Sequence, residues 1–257
     1  MELLKTLIIL CPLMFIAGFI DSIAGGGGLI AFPAYIWAGV PMHQTYGCNK
    51  FQSAMGTLMS MARYGKNGLL DKTTAVLSAL SAVIFSAIGT KIIMMLSDQT
   101  ISKGVAILLP VISFTMLINP KESENSRLHA EKGTKTVMLS ALAGMLIGLY
   151  DSMFGPGGGT LGMLLLVKLF KYDYKTATAN VKIIIFASNI AALIGYIASG
   201  NVTYAIALPA SACNMLGSYI GTGFAIKKGR KIIKPLANTV VAVILIKYVL
   251  LPLIGKI

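Results

Sequence analysis

Four consecutive glycines, Gly25 to Gly28, follow Asp21-Ser22-Ile23-Ala24 and sit between two runs of almost purely apolar residues. Each glycine costs a helix interior roughly 1 kcal/mol relative to alanine, so no helix runs smoothly through this stretch. The flanking residues ask for lipid, and at membrane depth non-helical backbone is tolerated only where it is buried in protein or lines a wet cavity. The break therefore belongs at the centre of whatever the chain builds. A second copy exists: Gly148-Leu149-Tyr150-Asp151-Ser152-Met153-Phe154-Gly155-Pro156-Gly157-Gly158-Gly159 repeats Gly18-Phe19-Ile20-Asp21-Ser22 and the glycines after it. The chain is a duplication.

Composition fixes the solvent. Of 257 residues 56% are hydrophobic and 12% charged, where soluble chains average about 25% charged. A span needs about 20 apolar residues, and the sequence holds enough such runs for eight to ten membrane segments. This predicts an all-α polytopic membrane protein with lipid as its partner and nothing left over for a soluble domain. The 22 Lys and Arg against 9 Asp and Glu do not mark a nucleic-acid binder, because most of them fall in short loops between apolar runs. Positive-inside topology accounts for them. Cys11, Cys48 and Cys213 are too far apart for a disulfide framework or metal site and read as small apolar fillers. The apolar run from Leu3 to Ile20 has a duplicate in mid-chain, where no signal is cleaved, so it is expected to stay as a span.

Gaps in hydrophobicity place segments near 3–22, 28–41, 46–62, 73–96 and 101–118, then 137–154, 160–170, 176–197, 203–226 and 235–253. Residues 1–118 form a first membrane repeat, 119–136 a polar linker and 137–257 a second repeat. Asn49-Lys50 parallels Asn180-Val181-Lys182, Arg63-Tyr64 parallels Gly195-Tyr196, Gly68 parallels Gly200, and Gly89-Thr90 parallels Gly221-Thr222. Such register implies two equivalent halves about a pseudo-two-fold axis. With five crossings per half most basic residues collect on one face; with four they spread over both. The bias favours an odd count, an inverted repeat, and both termini outside.

A helix restarting after either break presents free N–H groups and the positive end of its dipole, which suits an anion. The expected substrate-binding residues are therefore Gly25, Gly26, Gly27 and Gly28 with Gly157, Gly158 and Gly159. The alternative is that these glycines only allow close packing, as at Gly144-Met145-Leu146-Ile147-Gly148 and Gly217-Ser218-Tyr219-Ile220-Gly221. Asp21 and Asp151 are the only acids well inside apolar runs, where an ionisable group costs at least about 2.5 kcal/mol. They read as proton-coupling carboxylates or as supports for the loop N–H groups. Asn49, Lys50, Asn180 and Lys182 open the third segment of each half and are expected in the cavity, the amides donating to oxyanion oxygens and the lysines balancing substrate charge. His43 and His129 lack ligand spacing and read as surface residues, and Trp37, Tyr35, Tyr172 and Tyr174 as interfacial anchors. The glycine runs are neither a dinucleotide fingerprint nor a P-loop, and no metal or cofactor is expected. An intramembrane enzyme acting on a lipid headgroup would need a nucleophile with its base or metal, and no such constellation is present. A passive anion channel is the remaining alternative.

These residues resemble the TauE/SafE family of sulfite-exporter-like permeases. The likeness rests on Gly18 to Ser22 with Ala24 to Gly28, on Pro33, Gly39-Val40-Pro41 and Gly47-Cys48-Asn49-Lys50, then on Tyr150 to Gly159, Ala177-Thr178-Ala179-Asn180-Val181-Lys182 and Ser188-Asn189. Cys48 departs from the small hydroxyl residue of that pattern. The resemblance implies an inner-membrane, multi-pass carrier for sulfur-containing or carboxylate anions such as sulfite, sulfonates or sulfoacetate. Alternating access with protons as coupling ion is the expected mechanism. Outward anion flow also runs down an inside-negative potential, so a uniporter would need no coupling ion.

Overall fold

The structure, a computed structural model, describes residues 2–101, 103–104, 130, 133–229 and 235. Eight long helices can be followed: α1 (Glu2–Ala24), α2 (Gly28–Trp37), α3 (Met42–Lys66), α4 (Lys72–Met94), α5 (Thr134–Met153), α6 (Gly158–Phe170), α7 (Tyr174–Ala198) and α8 (Tyr204–Lys228). They match eight of the ten expected segments to within a few residues. The segments at 101–118 and 235–253, most of the linker 119–136, and His129 lie outside the described residues. Within these helices Leu3–Ala24, Lys72–Met94, Thr134–Met153 and Tyr174–Ala198 are long and apolar enough to cross a bilayer. Large apolar side chains such as Ile8, Leu80, Met138 and Leu216 are exposed on the outer surface, as lipid contact requires.

The helices exchange partners between the two halves. α1 and α8 meet backbone to backbone: a Cβ on Gly18 would lie 2.2 Å from the Asn214 carbonyl oxygen, and one on Gly217 2.0 Å from that of Phe15. The equivalent pair, α4 and α5, does the same, with a Cβ on Gly144 falling 2.0 Å from the Ser78 carbonyl oxygen. Small residues allow the approach, and dispersion and weak polar contacts hold it. α3 also packs along α8, and α7 along α4. Two bundles result: α1, α2 and α3 with α8 of the other half, and α5, α6 and α7 with α4. Each half thus lends its fourth helix to the other.

α3 and α7 run antiparallel where the bundles meet. At one end Gly47 abuts the Asn201 carbonyl and Thr203 Oγ1 donates to Gln44 Oε1 at 2.8 Å. At the other end the α3–α4 turn meets the start of α7: the Asp71 N–H donates to Asn180 Oδ1 at 2.8 Å. Asp71 caps α4, and its Oδ2 accepts from the Tyr172 hydroxyl at 2.7 Å and the Ala130 N–H at 2.8 Å. Burial pulls this carboxyl upward, but the bonds from Tyr172, Ala130 and Thr74 outweigh it and hold its pKa below the usual carboxylate range. Of the described basic residues, Arg63, Lys66, Lys72, Lys135, Lys168, Lys171, Lys175, Lys227 and Lys228 gather at this second end, whereas Lys5 and Lys91 lie toward the first.

Of the four aromatic residues expected as interfacial anchors, only Trp37 is exposed, at 69%. Tyr35, Tyr172 and Tyr174 are buried. Their closeness to segment ends suggested the headgroup level, but these ends fold inward against neighbouring helices. His43 is paired with Asp98.

Candidate functional site

Both breaks are made by glycines in the left-handed region. Gly25 ends α1 with φ +77°, and Gly157 precedes α6 with φ +85°. Each break turns its short helix back against the longer one, and the two tips touch. A Cβ on Gly25 would sit 2.3 Å from the Gly159 carbonyl carbon, one on Gly28 3.0 Å from Pro156 Cα, and Thr160 Oγ1 donates to the Ala24 carbonyl at 2.6 Å. No acceptor among the described residues meets the N–H of Gly28 or of Gly159. Both residues line a cavity of about 20 Å³ at the contact, room for a single water molecule.

Both halves of the chain contribute to the cavity wall. Asp21 and Asp151 face it with Gly25 and Gly155; α3 contributes Asn49, Ser53 and Thr57, and α7 contributes Ile185 and Asn189. Shifting the α3 residues by the repeat distance lands on Val181, Ile185 and Asn189, so the two sides are equivalent in position but not in polarity. Asn49, Ser53 and Thr57 form a hydroxyl and amide stripe at helical spacing, which its partner helix answers with only one amide.

Both buried lysines reach across the bundle interface to the other half's aspartate. Lys50 Nζ donates to Asp151 Oδ2 at 2.7 Å, to the Asp151 carbonyl at 2.6 Å and to Asn189 Oδ1 at 3.1 Å. Lys182 Nζ donates to Asp21 Oδ2 at 2.7 Å and to the Asp21 carbonyl at 2.5 Å. Neither lysine could stand in a low-dielectric interior unpaired. The two pairs cancel, leaving the N–H groups of the glycine tips as the positive elements beside the cavity.

The pairs differ in support. Asp151 Oδ2 also accepts from the Ser188 hydroxyl at 2.7 Å, and all three Lys50 protons have acceptors. Gly56 stands at the position equivalent to Ser188, so Asp21 has no such hydroxyl; its Oδ1 accepts only a long 3.3 Å bond from the Gly27 N–H. The Asp21 side chain is 25% exposed, against 6% for Asp151. Asn189 Nδ2 is buried without a partner.

Of the residues expected to bind substrate, the structure brings Gly25, Gly28, Asn49 and Gly159 to the cavity. Lys50 and Lys182 stand behind the aspartates. Gly27 and Gly158 pack against Asp21 and Asp151, respectively. Asn180 lies elsewhere: its Nδ2 donates to Leu69 and Thr176 carbonyls at 3.3 and 2.8 Å, and its Oδ1 is taken by Asp71. Asn49 is one residue before its lysine and Asn180 two, about 100° apart on a helix, so they do not occupy equivalent positions. Ser53, Thr57, Ile185 and Asn189 were missed, although Asn49, Ser53 and Thr57 follow one another at intervals of four.

The family model described as Sulfite exporter TauE/SafE matches residues 10–248. A Sinorhizobium protein described as "Probable membrane transporter protein ORF9" is 34% identical over 86% of this chain and 84% of its own length. The Escherichia coli K12 "Probable membrane transporter protein YfcA" is 29% identical over 95% and 92%. A Haemophilus influenzae "Probable membrane transporter protein" is 28% identical over 86% of each chain. No solved structure matches.

Proposed function

Because this chain belongs to the sulfite exporter TauE/SafE family of membrane transporters, we propose that it is a secondary carrier that moves a small anion, sulfur-containing by that kinship, across the cytoplasmic membrane by alternating access between two inverted halves. The observation that carries the reading is the meeting of the two glycine tips at a cavity flanked by crossed Lys–Asp pairs. Antiparallel α3 and α7 and the gathering of basic residues at one end support inverted halves with that end cytoplasmic. A cavity that holds one water is too small for sulfite, which makes this a closed conformation. Substrate enters when one bundle tilts on the other and parts the tips at one end.

Charge sets the coupling. With both pairs intact the centre is neutral, and an anion there meets only N–H dipoles and the Asn49, Ser53 and Thr57 donors. A proton on one aspartate leaves its lysine as an unbalanced positive charge, so proton and anion favour each other's binding. Asp21 is the better placed, since among the described residues it has no hydroxyl donor and it is the more exposed. Asp151, held by Lys50 and Ser188, keeps its loop in place.

Labelled sulfite, sulfoacetate and a small carboxylate offered to proteoliposomes under imposed pH and voltage gradients test this. Saturable counterflow of at least one, faster toward acid pH, is expected. Flux that rises linearly with concentration without counterflow would make the protein a channel, and no flux of any anion would overturn the substrate class.

A further inference from the structure

At the basic end of the α3–α8 groove lies a second site, unrelated to the central cavity. Arg63 on the last turns of α3 places its guanidinium 4.2 Å from the centre of the Tyr219 ring and donates to the Tyr219 carbonyl. It is seated against α8: a Cβ on Gly223 would fall 2.5 Å from Nη2. Lys228 Nζ lies 5.6 Å from the centre of the Phe224 ring, and Lys227 is beside it. Together with Ile220 these residues line an open pocket of about 350 Å³. Among the described residues no carboxylate pairs with Arg63, Lys227 or Lys228.

Apolar walls under a cationic rim are the complement of an amphiphilic anion. The walls continue along the outer face of α8 through Ile220, 42% exposed, to Leu216, 61% exposed. α8 rises about 1.5 Å per residue, so residues 219–228 span roughly the last 15 Å of the helix, one leaflet's depth. Duplication does not account for the cluster. The positions equivalent to Arg63, Lys227 and Lys228 are Gly195, Met95 and Leu96, at the opposite end of the other bundle. The cluster is present in one bundle only, at the end where positive charge gathers. Cytoplasmic leaflets supply anionic headgroups, and basic pockets between helices on that side are suited to them.

We propose that the Arg63–Lys227–Lys228 pocket binds an anionic phospholipid, with the phosphate between the guanidinium and the two ammonium groups and an acyl chain along Phe224, Ile220 and Leu216. Tyr219, a ring already engaged by Arg63, holds the guanidinium facing the headgroup. A free phosphate would use the rim and leave the apolar walls without a function, which is why lipid is the occupant.

The full chain, purified in a neutral detergent, is titrated with phosphatidylglycerol or phosphatidylcholine, and retention is read by native mass spectrometry alongside the melting midpoint. Wild type should retain phosphatidylglycerol in preference to phosphatidylcholine and melt higher with it. Lys227→Gln/Lys228→Gln, both exposed and harmless to folding, should weaken phosphatidylglycerol retention roughly 25-fold, taking each juxtamembrane charge at its usual worth. Arg63→Gln should act in the same direction. Lys171→Gln/Lys175→Gln, at the same end but outside the pocket, should leave retention unchanged. Equal retention of the two lipids by wild type overturns the proposal, as does equal loss in the pocket and control variants, which would mean a diffuse surface charge. Inorganic phosphate raising the midpoint as far as phosphatidylglycerol does would make this a headgroup-only anion site and also defeat it.

Discussion

Lys50→Met puts the crossed pairs to the hardest test. Lys50 is 1% exposed and every proton of its ammonium is accepted, so methionine keeps the length and removes a fully used charge. Asp151 is then left with the Ser188 hydroxyl and the interior around it. Removing one partner of a buried pair costs about 3–5 kcal/mol, because the remaining charge is uncompensated. At roughly 2–4 °C per kcal/mol for a chain of this size, the melting midpoint should fall by about 10 °C. Adding Asp151→Asn removes the stranded charge and should recover most of the loss. In a Cys11→Ser/Cys213→Ser background Cys48, fully buried, provides the readout: a thiol-reactive fluorogenic dye reaches it only on unfolding in detergent. Lys182→Met should cost less, since the Asp21 carboxylate is 25% exposed and keeps some water. A Lys50→Met midpoint equal to wild type, or a double variant less stable than the single one, would show that the pair does not clamp the bundles. A larger drop for Lys182→Met than for Lys50→Met would refute the difference argued between the two sites.

Asp21→Asn should abolish the rise in transport toward acid pH in proteoliposomes, whereas Asp151→Asn should mainly lower the melting midpoint; an unchanged pH profile in Asp21→Asn would remove that residue from coupling. Gly25→Ala forces a Cβ into the Gly159 backbone and should stop transport with insertion intact, while Gly39→Ala, at a comparable φ of +76° but with open space around it, should transport normally; equal loss in both would point to backbone strain rather than tip contact. Asp71 has a lowered pKa, so its contribution is present above the ordinary carboxylate value near 4 and disappears as pH falls through the lower folded-state value. Asp71→Ala should lower stability at pH 7 by roughly the 0.5–2 kcal/mol of a helix cap and flatten its fall in acid, and a stability that still falls as steeply would show that other carboxylates govern it.

The membrane class, the two breaks and eight helices were legible because they rest on local chemistry: glycine cannot hold a helix, and apolar runs of a fixed length cross lipid. Gly68 and Gly200, which the sequence pairs, both have a positive φ, 68° and 70°. What crosses between halves was not. Asp21 and Lys182 are 161 residues apart, and a duplication alone does not say whether each aspartate meets its own half's lysine or the other's. The exchange of α4 and α8 escaped notice for the same reason. Asn180 misled because composition pairs it with Asn49, whereas one residue of helical phase separates cavity from loop.

The exchange of helices determines which parts can move. A motion of the first half as a body against the second would tear α1 from α8 and α4 from α5, where backbones touch and no side chain is available to slide. Among the described residues the interface between bundles is thinner: chiefly α3 on α7, the two glycine tips, and the two ion pairs. The alternating access proposed above would therefore divide the molecule between bundles, with the α3–α4 and α7–α8 turns, at Gly68 and Gly200, as the crossings that must flex. Cys11 on α1 and Cys213 on α8 face each other within one bundle, close enough for their thiols to interact. In a Cys48→Ser background, oxidising them to a disulfide should leave transport intact. Cysteines at Ala24 and Thr160, whose side chain and carbonyl meet across the interface at 2.6 Å, should stop it when oxidised and release it on reduction. Transport stopped by both links would mean that the halves move as the sequence divides them, since each link joins one half to the other, and transport that survives the second link would mean that the glycine tips do not part.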